Sequence, residues 1–267
     1  MDTILRMDNI RRMENIRALL LDMDGVLWRG PQPIGDLPAI FNEITSRNWK
    51  VILATNNATA SIKQYLEKIR SFGVYLESWQ VINSSQAAAR YLSRLHPHGG
   101  SVFIIGEEGL SQILAQVGFT QSDESPLAVV VGMDRNLTYQ KLARATLLIR
   151  SGVPFIATNT DRTFPIPEGL VPGAGSIVAA LETASDIQAV VVGKPAPEMY
   201  LAALERLGTS IPETLVVGDR LETDIAGGQA AGMPVALVLS GVSTRKQGEA
   251  WKPVVDAIAE DLAGLVE

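Results

Sequence analysis

From Arg17 onward, short apolar runs of strand length alternate with amphipathic stretches of helical period, and this alternation limits the folds open to the chain. The runs are Leu19-Leu20-Leu21, Lys50-Val51-Ile52-Leu53-Ala54-Thr55, Val102-Phe103-Ile104-Ile105, Ala128-Val129-Val130-Val131, Pro154-Phe155-Ile156-Ala157-Thr158, Ala189-Val190-Val191-Val192-Gly193, Leu215-Val216-Val217-Gly218 and Val235-Ala236-Leu237-Val238-Leu239. Between them, Ile62, Tyr65, Leu66, Ile69 and Phe72 recur at helical spacing before Gly73. Leu110, Ile113, Leu114 and Val117 do so before Gly118, and Leu142, Thr146 and Ile149 before Gly152. Strands without internal polar alternation are buried on both faces, which means a parallel sheet covered by helices on each side. The expected fold is α/β: a doubly wound parallel-sheet core with a second α/β domain inserted. The core is expected at 1–80 and 187–267, with 1–16 as an N-terminal extension, and the inserted domain at 81–186. Further core helices are expected near 197–207, 223–231 and 253–266.

In such a sheet, polar chemistry collects beyond the carboxyl ends of the strands. The first strand runs into Asp22-Met23-Asp24-Gly25. Two uncompensated carboxylates one residue apart raise one another's pKa unless a cation lies between them. Mg²⁺ suits carboxylate oxygens that share it with a substrate phosphate. The second strand ends in Thr55-Asn56-Asn57, a hydroxyl, an amide and a nest of backbone N–H groups ahead of a helix. Val192-Gly193-Lys194-Pro195 offers a cation behind a glycine, and Gly218-Asp219-Arg220-Leu221-Glu222-Thr223-Asp224 adds two carboxylates. Each piece also reads as ordinary structure: Asp24-Gly25 and Gly218-Asp219 as turns, Thr55-Asn56 and Asp224 as helix caps, Lys194 as a surface lysine. Together they bring phosphate-handling groups to one sheet edge.

These four segments, in this order, resemble the motifs of the haloacid dehalogenase (HAD) superfamily. The insertion resembles the α/β cap of its p-nitrophenyl phosphatase and phosphoglycolate phosphatase-like branch, through Val131-Gly132-Met133-Asp134, Ala157-Thr158-Asn159 and Pro172-Gly173-Ala174-Gly175-Ser176. The resemblance covers residues 17–239. It implies a Rossmann-like core and a Mg²⁺-dependent phosphatase acting on small phosphate monoesters. By the same resemblance Asp22 is the nucleophile that forms an aspartyl-phosphate, and Asp24 the acid and then the base. The metal would be held by Asp22, the main-chain carbonyl of Asp24 and Asp219, with Asp224 in support. Thr55, Asn56, Asn57 and Lys194 would hold the phosphoryl oxygens. A phosphotransferase using the same intermediate, and a non-catalytic binding or regulatory protein on the same fold, are the rival readings.

Substrate choice is expected from the inserted domain, since the core motifs meet only what all phosphate esters share. The polar loop Asn159-Thr160-Asp161-Arg162-Thr163-Phe164-Pro165 is the candidate, with Arg162 for an anionic tail and Phe164 for a ring or apolar wall. Relatives specific for pyridoxal phosphate carry histidine before this proline, so Phe164 points away from that substrate.

Other features exclude classes. A net charge of −6 disfavours nucleic acid or an anionic membrane as partner. The partner expected is a small phosphorylated metabolite, and a homodimer is one assembly the chain could adopt. Without cysteine there is no disulfide or thiolate nucleophile, in keeping with a cytoplasmic setting. No apolar run approaches the ~18 residues of a membrane span. Gly173-Ala174-Gly175-Ser176 lacks a third glycine and a preceding buried strand, so it makes no dinucleotide loop. His96 and His98 lack acidic neighbours, and the four tryptophans are expected to pack. Arg6-Met7-Asp8-Asn9-Ile10-Arg11 and Arg12-Met13-Glu14-Asn15-Ile16-Arg17 form a tandem hexapeptide, read as a short charged helix or frayed extension, with Met7 or Met13 as alternative starts.

Overall fold

The computed structural model describes residues 4–5, 14–57, 60–166 and 169–266. The chain divides into two compact units, Met1–Thr55 with Ile62–Ile82 and Lys194–Glu267, and Asn56–Ser61 with Asn83–Gly193. Most of the tandem hexapeptide lies outside the described residues.

The first unit is built on a seven-stranded sheet in the order Ile4–Leu5, Ala257–Ala259, Val235–Val238, Thr214–Gly218, Ala18–Leu21, Lys50–Thr55, Val81–Asn83. From Ala257–Ala259 through to Lys50–Thr55 the pairings are parallel, and the Ile4–Leu5 pairing is antiparallel. Ala18–Leu21 is buried along its whole length, as an unbroken apolar run in a central strand must be. Its two neighbours come from distant parts of the sequence, with Leu21 level with both Val217 and Leu53. That reversal of strand order opens a crevice at the carboxyl ends. Helices pack on the sheet by ordinary signals. Leu37–Ser46 starts where the Asp36 carboxylate accepts from Ala39 N at 3.1 Å, and it buries Leu37, Ile40, Phe41 and Ile44.

Two expectations are corrected here. The helix expected near 253–266 is instead the strand Ala257–Ala259 followed by the short helix Ala263–Val266. Ala257-Ile258-Ala259 adds to the sheet beside Val235–Val238, and Asp256 sets the register. Its main-chain N donates to Val235 O at 3.1 Å, and its carboxylate accepts from Val235 N at 2.9 Å. The run around 189–193 is not a buried core strand. Val190–Val191 pairs with Phe155–Ala157 in the second unit and sits at the edge of that sheet, where Val190 is 45% exposed.

The second unit holds a five-stranded parallel sheet ordered Val190–Val191, Phe155–Ala157, Val129–Val131, Gly100–Ile105, Phe119–Gln121. Alternation along each strand feeds two separate cores. Val102, Ile104, Val130 and Ile156 pack with Ala88, Leu92, Leu110 and Leu114 on one face. Phe103, Ile105, Val129, Val131, Phe155 and Ala157 pack with Leu148, Ile149, Val178 and Leu181 on the other. The helix Ser84–Leu95, which the hydrophobic pattern left unassigned, is capped by Asn83 through Gln86 N at 3.1 Å. The polar loop expected at 159–165 becomes strand from Thr163, because Thr163–Ile166 pairs antiparallel with Gly169–Pro172 and β-type residues on both sides favour a hairpin. Among the described residues no helix is long and apolar enough to cross a membrane.

Candidate active site

Asp22 follows the central strand directly, and its main-chain N still bonds Val217 O at 2.9 Å. Its carboxylate is therefore fixed at the strand end. Asp219 stands two residues beyond Val217 on the neighbouring strand, and Asp224 returns to the same place through a wide turn. In that turn, Leu221–Ile225, both Asp224 N and Ile225 N bond Arg220 O, a π-type winding. Such windings recur at functional sites. The turn folds so tightly on its own strand that a Cβ at Gly218 would lie 2.1 Å from Asp224 Cβ. One oxygen from each of Asp22, Asp219 and Asp224 falls within 4.8 Å of the others.

Lys194 threads this cluster. Its Nζ donates to Asp22 Oδ1 at 2.5 Å and Asp224 Oδ1 at 2.8 Å, and the residue is 2% exposed. Asp224 also accepts from Arg220 N at 3.2 Å, so both of its oxygens are engaged. Burial acts to lower the Lys194 pKa, yet Asp22 and Asp224 more than offset it and hold the ammonium above its ordinary range. Burial pushes the Asp22 carboxyl well above the usual carboxylate range against the pull of Lys194, with Asp224 and Asp219 adding to the rise. Asp219 is pushed up to about 6, first by burial and then by Asp224.

Asp219 carries the feature that bears on a metal. Its Oδ2 accepts from Val242 N at 2.8 Å, while Oδ1 is buried with no hydrogen-bond partner among the described residues. A buried carboxylate oxygen left open costs free energy unless something positive meets it. Three carboxylates against one lysine leave surplus negative charge, and hard oxygen donors suit Mg²⁺. The residues present fit the ion.

The segment after Val235–Val238 completes the cradle and was not foreseen from sequence. Ser240 Oγ donates to Gly25 O at 2.7 Å, Ser243 N donates to Asp219 O at 3.0 Å, and Leu221 N donates to Ser243 Oγ at 3.2 Å. Gly25 has φ +90° and lies against Asp219, as does Gly241; a Cβ there would stand 2.4 Å and 1.9 Å from Asp219 Oδ2. Serine and glycine after a strand look like any loop, so only the approach to Asp219 reveals their part.

Thr55 ends its strand buried and is hydrogen-bonded to Tyr65, whose pKa is raised by burial and then by Asp24. Asp24 is exposed, and Trp28 Nε1 donates to its Oδ1 at 2.8 Å. The tryptophans were expected only to pack; Trp28 packs and donates. Asn56 and Asn57 fall in the second unit, where Asn56 O accepts from Ser84 Oγ at 2.8 Å and Asn159 Nδ2 at 2.9 Å. Also there, Arg162 is exposed, with its carbonyl held by Gly173 N at 2.9 Å and Ser176 Oγ at 2.7 Å. Phe164 is paired with Val171 along the hairpin.

Residues 19–120 match the family described as haloacid dehalogenase-like hydrolase, and residues 191–265 match one described as HAD-hydrolase-like. The 5'-nucleotidase YutF of Bacillus subtilis is 37% identical over 86% of this chain and 90% of its own length. The chain belongs to the haloacid dehalogenase-like hydrolases. An acid sugar phosphatase of Staphylococcus aureus is 34% identical over 91% of this chain and 97% of its own. Among solved structures, a p-nitrophenyl phosphatase from Archaeoglobus fulgidus superposes with TM-score 0.86 at 32% identity, covering 94% of this chain and 98% of the other. A glycerol phosphate phosphatase from Mycobacterium tuberculosis in complex with magnesium does so with TM-score 0.87 at 36% identity, over 95% and 77%. Within the haloacid dehalogenase-like hydrolases this chain is a phosphatase, which sets aside the non-catalytic reading.

Proposed function

We propose that this phosphatase hydrolyses small phosphate monoesters with Mg²⁺, through an aspartyl-phosphate on Asp22. The observation that carries the reading is the open, buried Oδ1 of Asp219 beside the carboxylates of Asp22 and Asp224. Asp22 and Asp219 would hold the ion by their side chains and Asp24 by its main-chain carbonyl, with Asp224 in support through its grip on Lys194. When bound, Mg²⁺ neutralises phosphoryl charge and lets an anionic ester approach anionic residues.

The remaining steps belong to the chain's own residues. Lys194 and the site's geometry keep one Asp22 oxygen aimed out of the strand end for attack on phosphorus. Lys194, Thr55, Asn56 and Asn57 are assigned to the phosphoryl oxygens, which gain charge as the transferring group loosens. Asp24 protonates the departing oxygen and then takes a proton from the water that frees Asp22. Its exposure lets the leaving oxygen, and then the attacking water, reach it.

Chelation followed by dialysis is expected to silence the enzyme. Mg²⁺ restores it and Ca²⁺, with its looser coordination, does not. A second readout needs no turnover. Asp22 and Asp219 have folded-state pKa values above those of the unfolded chain, the latter about 6. Without metal, the stability each supplies in protonated form is fully present below the usual carboxylate range; that of Asp219 is lost as pH rises through about 6, and that of Asp22 as pH rises through its own raised value. Mg²⁺ meets ionised carboxylates at pH 7.5 but competes with protons at pH 5. The rise in Tm on adding Mg²⁺ should therefore be larger at pH 7.5. An equal or larger rise at pH 5, or full activity in excess EDTA, removes the metal from this site.

The relatives' names span nucleotides, sugar phosphates, glycerol phosphate and p-nitrophenyl phosphate. Selection among them is assigned to Arg162 and Phe164. The exposed Arg162 side chain on a pinned main chain suits it to meet an anionic or hydroxylated substrate tail. Arg162→Ala is expected to shift relative kcat/KM values across nucleotides, sugar phosphates and phosphoglycolate by ~10–200-fold, the scale of one or two pocket contacts. A panel ranked as in the wild type takes Arg162 out of substrate selection.

A further inference from the structure

Asp24 begins a loop and is exposed, so a carboxyl asked to deliver a proton to one oxygen of a bound ester must be held from somewhere. It is held by Trp28. The indole is fully buried, and its Nε1–H donates to Asp24 Oδ1 at 2.8 Å. The main chain between the two is closed on itself. Gly25 N donates to Trp28 O at 2.8 Å, and Leu27 N and Trp28 N converge on Met23 O at 2.9 and 3.3 Å. The ring is clamped from the helix Ile62–Ser71 and the residue that follows it: Lys68 Nζ lies 4.2 Å from its centroid, and Phe72 packs at 6.0 Å with the planes tilted 42°.

An indole nitrogen donates one hydrogen bond and accepts none. The oxygen facing it, Oδ1, must therefore stay an acceptor whether the carboxyl is charged or neutral. The transferable proton is left to Oδ2. We propose that Trp28 is the positioning residue of this phosphatase's acid/base, fixing the rotamer of Asp24 and assigning the proton to its outer oxygen. The inference rests on Asp24 being the proton carrier. In the first half-reaction an Asp22 oxygen bonds phosphorus as the ester P–O bond breaks, the bond's electron pair passes to the leaving oxygen, and that oxygen takes the proton from Asp24 Oδ2. In the second, a water gives a proton back to Oδ2 as its oxygen bonds phosphorus, and the P–O bond to Asp22 breaks with its electron pair returning to the Asp22 carboxylate.

The test compares phenyl phosphate, whose phenolate is a poor leaving group that needs the proton, with p-nitrophenyl phosphate, whose leaving group departs without one. Trp28→Phe keeps a ring and loses the N–H. Its ratio of kcat on phenyl phosphate to kcat on p-nitrophenyl phosphate should fall by ~10-fold or more, the cost of a misplaced catalytic group, with the loss in kcat rather than KM. If Phe at this buried site prevents folding, benzothienylalanine at position 28, which replaces the N–H by sulfur within the same bicyclic outline, carries the same expectation. Asp24→Asn is measured alongside and should lower the ratio further. A lowered ratio in Asp24→Asn with an unchanged ratio in the folded position-28 variant overturns the role of Trp28 and leaves Asp24 as the proton carrier. An unchanged ratio in Asp24→Asn removes the proton-carrier reading, and the inference with it.

Discussion

Replacing Asp22 by Asn is expected to abolish turnover, on the order of 10⁵-fold as for other covalent nucleophiles, and to leave the protein at least as stable as before. The two halves of this result come from the same burial. An amide keeps an acceptor oxygen for Lys194, so the 2.5 Å contact has a replacement, but it cannot bond phosphorus at a useful rate. Burial and the neighbouring Asp224 and Asp219 already disfavour a charge at position 22, and a neutral amide relieves that penalty. In metal-free buffer Tm should hold or rise, while phosphate release measured with Mg²⁺ vanishes. A variant that keeps a tenth of wild-type kcat, or whose Tm drops by several degrees, contradicts the reading of Asp22 as a nucleophile held at some cost in stability.

Lys194→Met should fail in the opposite way, losing both stability and activity. Methionine fills the volume, but Asp22 and Asp224 lose the cation that lies 2.5 and 2.8 Å from them. Breaking a buried ion pair by removing one partner costs ~3–5 kcal/mol, because the surviving charge is stranded. Here two carboxylates survive. Denaturant midpoints should fall accordingly, and the deficit should narrow as pH is lowered, since protonating Asp22 removes one stranded charge. Turnover should fall by ~10²–10³-fold beyond any loss of folded protein, the usual effect of deleting one group that stabilises transition-state charge. A midpoint within error of wild type would mean that the lysine does not compensate these carboxylates.

How much of this was legible in the sequence varies with the kind of signal. Unbroken apolar runs such as Leu19-Leu20-Leu21 identify central strands because both their faces are buried, and polar residues following them identify the sheet edge where Asp22 and Asp219 meet. What the pattern could not separate was which sheet a run joins. Val190–Val191 has the composition of a core strand, yet its partner is Phe155–Ala157, and only long-range pairing decides that. Near the C-terminus, Ala257-Ile258-Ala259 is too short for periodicity to tell strand from helix, and Asp256 bonding Val235 N settles it. Trp28 was hidden for another reason. A buried tryptophan looks the same in sequence whether its N–H meets a main-chain carbonyl or a working carboxylate.

The glycines at 25 and 241 give the Asp219 carboxylate its room: a Cβ on either would stand 2.4 or 1.9 Å from Asp219 Oδ2. Even alanine, the smallest side chain, would have to push that carboxylate aside at these two positions. The seat of an acidic group is set here by two residues that carry no side chain at all.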